Sequence, residues 1–166
     1  EYYGASEFLL PRLYLNDGKG NLTKKEGAFT NMMMTASCIV AHDFNGDGEK
    51  DLFIGGRATP FAYGKIPRSY ILQNDGNGLF KDVTAKYSTD LEMPGLVKDV
   101  VLTDIDKDGD SDIVLALEWD GICAFINEKG NYVKKYLSEE KGWWNFLLPI
   151  DVDGDGSQDG VTAATN

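Results

Sequence analysis

The chain has few of the residues that enzymes and nucleic-acid binders depend on. It holds a single histidine, His42, and two cysteines, Cys38 and Cys123. Two cysteines make no disulfide framework, and these fall on different expected strands, so both read as small apolar side chains of a core. His42 ends an apolar run beside an acidic loop, where a structural role fits better than a general base. The sequence shows no serine motif, no glycine-rich phosphate loop and no cysteine in an electropositive setting, and it reads as non-enzymatic. Basic residues number 16 against 27 acidic ones, and the resulting net charge of −11 argues against nucleic acid as a partner. No run is long or apolar enough to insert in a membrane as a helix. The chain reads as a portion of a longer protein, so the absence of an export signal does not bear on where it works.

Aspartate, by contrast, is abundant and patterned. A nine-residue loop occurs three times: Asp43-Phe-Asn45-Gly-Asp47-Gly48-Glu49-Lys-Asp51, Asp104-Ile-Asp106-Lys-Asp108-Gly109-Asp110-Ser-Asp112, and Asp151-Val-Asp153-Gly-Asp155-Gly156-Ser157-Gln-Asp159. Positions one, three, five and nine always carry a carboxylate or amide oxygen, position six is always Gly, and position two is always apolar. Carboxylates crowded in this way repel one another unless a cation sits among them. Alternating hard oxygen donors, with a Gly to permit the sharp turn, suit Ca²⁺; Mg²⁺ demands a tighter octahedron and keeps more water. The expected ligands are Asp43, Asn45, Asp47 and Asp51; Asp104, Asp106, Asp108 and Asp112; and Asp151, Asp153, Asp155 and Asp159. The backbone carbonyls of Glu49, Asp110 and Ser157 would add a donor to each set. Up to three calcium ions are therefore expected, in a structural role.

A helix–loop–helix calcium hand needs a bidentate Glu at position twelve, and Ile54, Leu115 and Thr162 stand there instead. Apolar, β-rich runs flank the loops, such as Cys38-Ile-Val-Ala-His42 before the first and Ile113-Val-Leu-Ala-Leu117 after the second. Each loop thus joins two strands. Between the loops recurs a second element, an apolar strand, a glycine-bearing turn and a more polar strand: residues 11–22 around Asn16-Asp-Gly, 69–80 around Asn74-Asp-Gly, and 122–132 around Asn127-Glu-Lys-Gly. The order strand, acidic loop, strand, connection, strand, tight turn, strand predicts an all-β fold, a β-propeller fragment of four-stranded antiparallel blades. Residues 1–28 and 139–166 would be half blades, and 29–88 and 89–138 whole ones. The strand entering each acidic loop is expected to be the most deeply buried, and Glu118–Gly121 to form a connecting loop.

The words Asp43 to Gly56 (Asp-Phe-Asn-Gly-Asp-Gly-Glu-Lys-Asp-Leu-Phe-Ile-Gly-Gly) resemble the FG-GAP/VCBS repeat of integrin α-subunit propellers and many bacterial exported proteins. Gly55-Gly-Arg57, Pro67-Arg-Ser-Tyr70 and Gly142-Trp-Trp-Asn145 bring the likeness closest to bacterial VCBS-repeat proteins, relatives of the cartilage acidic protein that often end in an UnbV-type domain. The resemblance implies a seven-bladed or similar calcium-binding propeller on an exported protein, placed extracellularly, at the cell surface or in the periplasm. The last copy departs from the family at Gly160, where Leu is usual.

In a four-stranded meander, the acidic loops and the Asn-Asp-Gly hairpins share one end. Arg57, Tyr63, Arg68, Trp119, Trp143 and Trp144 then fall near the opposite end, where aromatic rings beside arginine suit a protein or carbohydrate ligand. Adjacent strand residues point to opposite sides, so Trp143 and Trp144 are not both expected in the core. The sequence reads best as an adhesion or binding scaffold. The alternative is part of an extracellular polysaccharide lyase or hydrolase, with catalytic groups on blades outside this chain. Exposed strand edges at both ends also invite self-association.

Overall fold

The computed structural model describes residues 7–29 and 32–164. The outer ends of the first and last expected half blades, and part of the segment leading into the first acidic loop, lie outside these residues. Among the described residues every strand pairing is antiparallel. Strands β1 (Leu13–Asn16) and β2 (Leu22–Lys25) form a two-stranded sheet. Strands β3 (Thr35–His42), β4 (Asp51–Ala58), β5 (Tyr70–Asn74) and β6 (Phe80–Asp82) follow in simple order in a second sheet. A third sheet contains β7 (Leu96–Thr103), β8 (Asp112–Glu128), β9 (Asn131–Ile150) and β10 (Asp159–Ala164). The fold is all-β, as expected, with a short helix α1 (Thr84–Tyr87) and a 3₁₀ turn at Asp90–Glu92 between the larger sheets.

The three acidic loops are the turns of three hairpins in one register. The ninth loop residue pairs with the residue before the first: His42 with Asp51, Thr103 with Asp112, and Ile150 with Asp159. Gly160 pairs with Pro149, and an added Cβ there would meet nothing within 4 Å, so the departure from Leu leaves the pairing intact.

Apolar layers lie between successive parts of the chain. Met32, Ile54 and Leu72 pack with Phe29 and Phe80 on one side of the second sheet. Phe53, Ile71, Val97, Ile113, Leu115, Cys123 and Phe125 fill the space between the second and third sheets, with Tyr87 and Leu91 from the α1 region. The two sheets pack tightly at Gly55, where an added Cβ would lie 2.6 Å from both the Cys38 Sγ and a Val97 methyl carbon. Ala116 holds the corresponding place after the second loop and packs in a further layer with Val114, Ala124, Leu147 and Trp144.

Two expectations are corrected. The most buried strands are β4 and β8, not those entering the loops; Ile113, Leu115, Ala116 and Leu117 are fully inaccessible, whereas β3 alternates between partly buried and exposed positions. The reason is position in the sheet: β4 and β8 have a strand on either side and apolar layers on both faces, while β3 is an edge strand. Glu118–Gly121 is likewise no loop but a bulged part of β8, with register shifts on both sides of Asp120. An added Cβ at Gly121 would sit 2.0 Å from the Ser138 carbonyl oxygen, so glycine lets β8 and β9 remain paired through the bend. Strand β9 consequently runs through residues 138 and 139 without a break, and the fold combines antiparallel sheets with a half-barrel. The backbone N–H of Leu147, late in β9, donates to Asp99 Oδ2 on β7 at 2.9 Å.

Candidate functional site

Each acidic loop folds on its own carboxylates. Asp43 accepts N–H groups from Gly46, Asp47 and Gly48 at 2.8–3.1 Å. Asp104 accepts from Asp108 and Gly109, and Asp151 from Gly154, Asp155 and Gly156. Position three accepts from the N–H two residues on: Asn45 from Asp47, Asp106 from Asp108, Asp153 from Asp155. Position five repeats this, with Asp47 accepting from Glu49, Asp108 from Asp110, and Asp155 from Ser157. The glycine at position six takes a positive φ of 79–97° in each copy, which a side chain would strain. Such bonds favour the ionised acid, and Asp43 is held below its ordinary range chiefly by the Gly48 N–H. Asp155 is lowered in the same way, first by the Ser157 hydroxyl.

This spiral brings oxygens together at one point. Asp104, Asp106 and Asp108 each offer a carboxylate oxygen within 4.8 Å of the others, and so do Asp151, Asp153 and Asp159. The first loop forms no such trio of acids among the described residues, because Asn45 stands at the third position. A donor set of carboxylate and carbonyl oxygens on a tight glycine turn fits a hard divalent cation.

Position nine has a second task that sequence reading missed. Asp51 and Asp112 are fully inaccessible to solvent. One oxygen of each closes the loop, accepting from the position-two N–H: Phe44 at 3.2 Å and Ile105 at 2.9 Å. The other accepts the N–H of Asn74 at 2.8 Å or of Asn127 at 2.7 Å, in the following hairpin. The same asparagines donate through Nδ2 to the carbonyls of Lys50 and Ser111. Burial pushes both carboxyls upward, against those N–H bonds. Asp159 keeps the loop-closing bond, from Val152 N–H at 3.0 Å, but is exposed. The signal in the sequence was the recurrence of Asn at the same place in each hairpin.

Phe44 at position two enters the layer between the sheets, meeting His42, Tyr87 and Tyr132 edge-on or tilted at 5.1–6.2 Å. Burial lowers the His42 pKa beside Phe44. Ile105 packs into the next layer, and Val152 is exposed.

The ligand-surface candidates divide. Tyr63, Trp119 and Trp143 come together, with ring centroids 5.1 Å apart between Tyr63 and Trp119 and 6.3 Å between Trp119 and Trp143. Trp119 lies seven positions beyond Asp112 on the same strand, roughly 20 Å at the rise of extended chain. Arg57 is exposed and its charge acts on Tyr63. Arg68 does not join them: its guanidinium pairs with Asp82 at 2.8 Å and Glu92 at 2.6 Å and lies over Tyr70. Trp144 packs in the core layer and donates Nε1–H to the Glu140 carbonyl at 3.3 Å. Sequence reading missed Glu118, whose side chain is buried, accepts a hydrogen bond from the Tyr63 hydroxyl and faces Lys98 Nζ at 3.7 Å. The signal was an acid ending the apolar run Ile113–Leu117.

Antiparallel sheets whose strands are joined by repeated acidic hairpins define a β-repeat protein with oxygen-rich turns. Residues 43–115, from the first acidic loop to the strand after the second, match the family described as the FG-GAP-like repeat, which supports the FG-GAP repeat family for this segment. No curated protein matches the chain. No helix among the described residues is long and apolar enough to cross a membrane.

Proposed function

We propose that the chain is a non-enzymatic calcium-binding repeat scaffold of an exported or cell-surface protein, built as successive blades of a β-propeller of the VCBS kind. Calcium is structural, and the surface remote from it takes an adhesion partner, protein or carbohydrate. The observation that carries this reading is the recurrence of one hydrogen-bonded spiral in three separate loops, with carboxylate trios closing in two of them. A solvated acidic turn has no reason to repeat that pattern at each hairpin.

The propeller reading draws on contacts between strands that enter acidic loops. Ser37 Oγ on β3 donates to the Val97 carbonyl on β7 at 2.6 Å, and Asp99 on β7 accepts from Leu147 on β9. Such strands lie side by side around the axis of a propeller. Loop-relative positions also repeat: Cys38 and Val40 face the second layer, Val101 the next, and Phe146 and Leu148 at the same places are exposed. Ile39, opposite in sense, is 60% exposed, whereas its counterparts Val100 and Leu147 are buried. A second copy could cover one open face with the other.

Calorimetry of calcium into the chelator-stripped chain tests the metal reading. The expected result is binding at up to three loops, with affinities on the order of 10⁻⁴ to 10⁻³ M, because no bidentate Glu closes the site. Absence of heat with calcium, or preference for magnesium, overturns it.

A further inference from the structure

Three rings from different parts of the chain meet at the surface far from the acidic loops. Tyr63 is 62% exposed, Trp119 47% and Trp143 40%. They sit on the connection after β4, on β8 and on β9 respectively. Tyr63 meets Trp119 at 85° between ring planes, and Trp119 meets Trp143 at 60°. An edge-to-face contact covers a face of only one of the two rings, and each of the three residues keeps 40–62% of its surface exposed.

The cluster is held rather than merely exposed. The Tyr63 hydroxyl donates to Glu118 Oε1, and Glu118, whose side chain is 1% exposed, faces Lys98 Nζ at 3.7 Å. Trp119 has φ 64°, a left-handed conformation that a bulky side chain adopts only when its surroundings impose it. Gly64, at φ 90°, brings the connection so close that an added Cβ would lie 3.3 Å from the Trp119 ring. Trp143 is fixed by backbone pairing to Glu118.

We propose that Tyr63, Trp119 and Trp143 form a stacking platform for a pyranose ring of a neutral glycan, with the Tyr63 oxygen and the Arg57 guanidinium meeting its hydroxyls. This rests on the binding-scaffold reading above and names the ligand class. The C–H face of a sugar ring lies flat on an aromatic face, while its hydroxyls require polar groups at the rim. The rings touch one another, so no slot remains between them for a proline ring, which argues against a polyproline peptide. Three half-exposed rings offer roughly 300 Å², well under the roughly 800 Å² per partner of a standard protein interface. The chain's net charge of −11, still about −5 with three calcium ions bound, disfavours polyanionic glycans.

The test is quenching of tryptophan fluorescence by neutral hexasaccharides (β-1,4-glucan, β-1,4-mannan, α-mannan and β-galactan), with heparin and a proline-rich decapeptide as comparisons. At least one hexasaccharide is expected to bind. Trp119→Ala and Tyr63→Ala should weaken it about tenfold or more, while Trp119→Phe keeps most of the affinity and the calcium titration is unchanged. Binding by none of the hexasaccharides at about 10 mM, binding by heparin or the peptide alone, or full affinity in both alanine variants overturns the proposal. Calcium heat that survives such a failure leaves the scaffold reading standing; loss of that heat with sugar binding intact would do the reverse.

Discussion

Asp51 and Asn74 lie 23 residues apart, yet the buried carboxylate of the first accepts the backbone N–H of the second at 2.8 Å. Asp112 and Asn127 repeat the contact at 2.7 Å. One carboxylate therefore closes the acidic loop with one oxygen and fastens the neighbouring hairpin with the other. Acidic loop and sheet are mechanically the same element at this point.

Asp51→Ala would strand the N–H groups of Phe44 and Asn74 beneath the surface. The expected cost is roughly 2–4 kcal/mol, a fall in Tm of roughly 5–15 °C for a chain of this size. The loss should occur in calcium and in chelator alike, because both partners are backbone groups of the same chain. Thermal unfolding under the two conditions checks this; a loss confined to calcium would make Asp51 a metal ligand and little else.

Asp108→Ala should behave in the opposite way. Asp108 belongs to a carboxylate trio, and among the described residues its side chain accepts only the local Asp110 N–H. A cation bound only by the native state adds about 1.4–2.7 kcal/mol at ten to a hundred times its Kd. The variant should thus lose stability in calcium and change little in chelator. Equal losses in both would mean that the loop serves packing alone.

Burial pushes the Cys38 thiol up to about 11 and the Cys123 thiol up to about 12, and both are free. At pH 8 neither holds an appreciable thiolate fraction, and the thiolate is the nucleophile. Iodoacetamide should label both within minutes in denaturant and hardly at all in the native chain over the same time. Rapid native labelling of Cys123 would contradict its place in the layer between the sheets.

Phe146 and Leu148 are 64% and 56% exposed on one open face, and Ile39 is 60% exposed on the other. Each occupies a loop-relative position that is covered elsewhere in the chain. Light scattering in calcium at tens of micromolar should therefore give a mass above that of one chain, and Leu148→Asp should return it to a monomer. A monomeric parent chain under those conditions would end the proposal of self-association.

Much was legible from the residues alone. The spacing of Asp and Gly in three loops, with apolar runs on either side, determined that the loops turn hairpins and that carboxylate oxygens converge in two of them. Those are local consequences of carboxylates accepting N–H groups two to five residues away. The paired glycine turns likewise determined the hairpin at Asn74. Tertiary structure alone decided which aspartates are buried, because that depends on whether a later hairpin folds back onto the loop. It covers Asp51 and Asp112 and leaves Asp159 open. It also decided the bulged course of β8 and β9, since the Ser138 carbonyl presses on Gly121 from a strand that period and composition cannot align. The three rings were nameable in sequence, and so was the parting of adjacent Trp143 and Trp144, but which of the two enters the core was decided only when the strand took its register. Contacts between distant segments carry no local pattern, and burial is a property of those contacts.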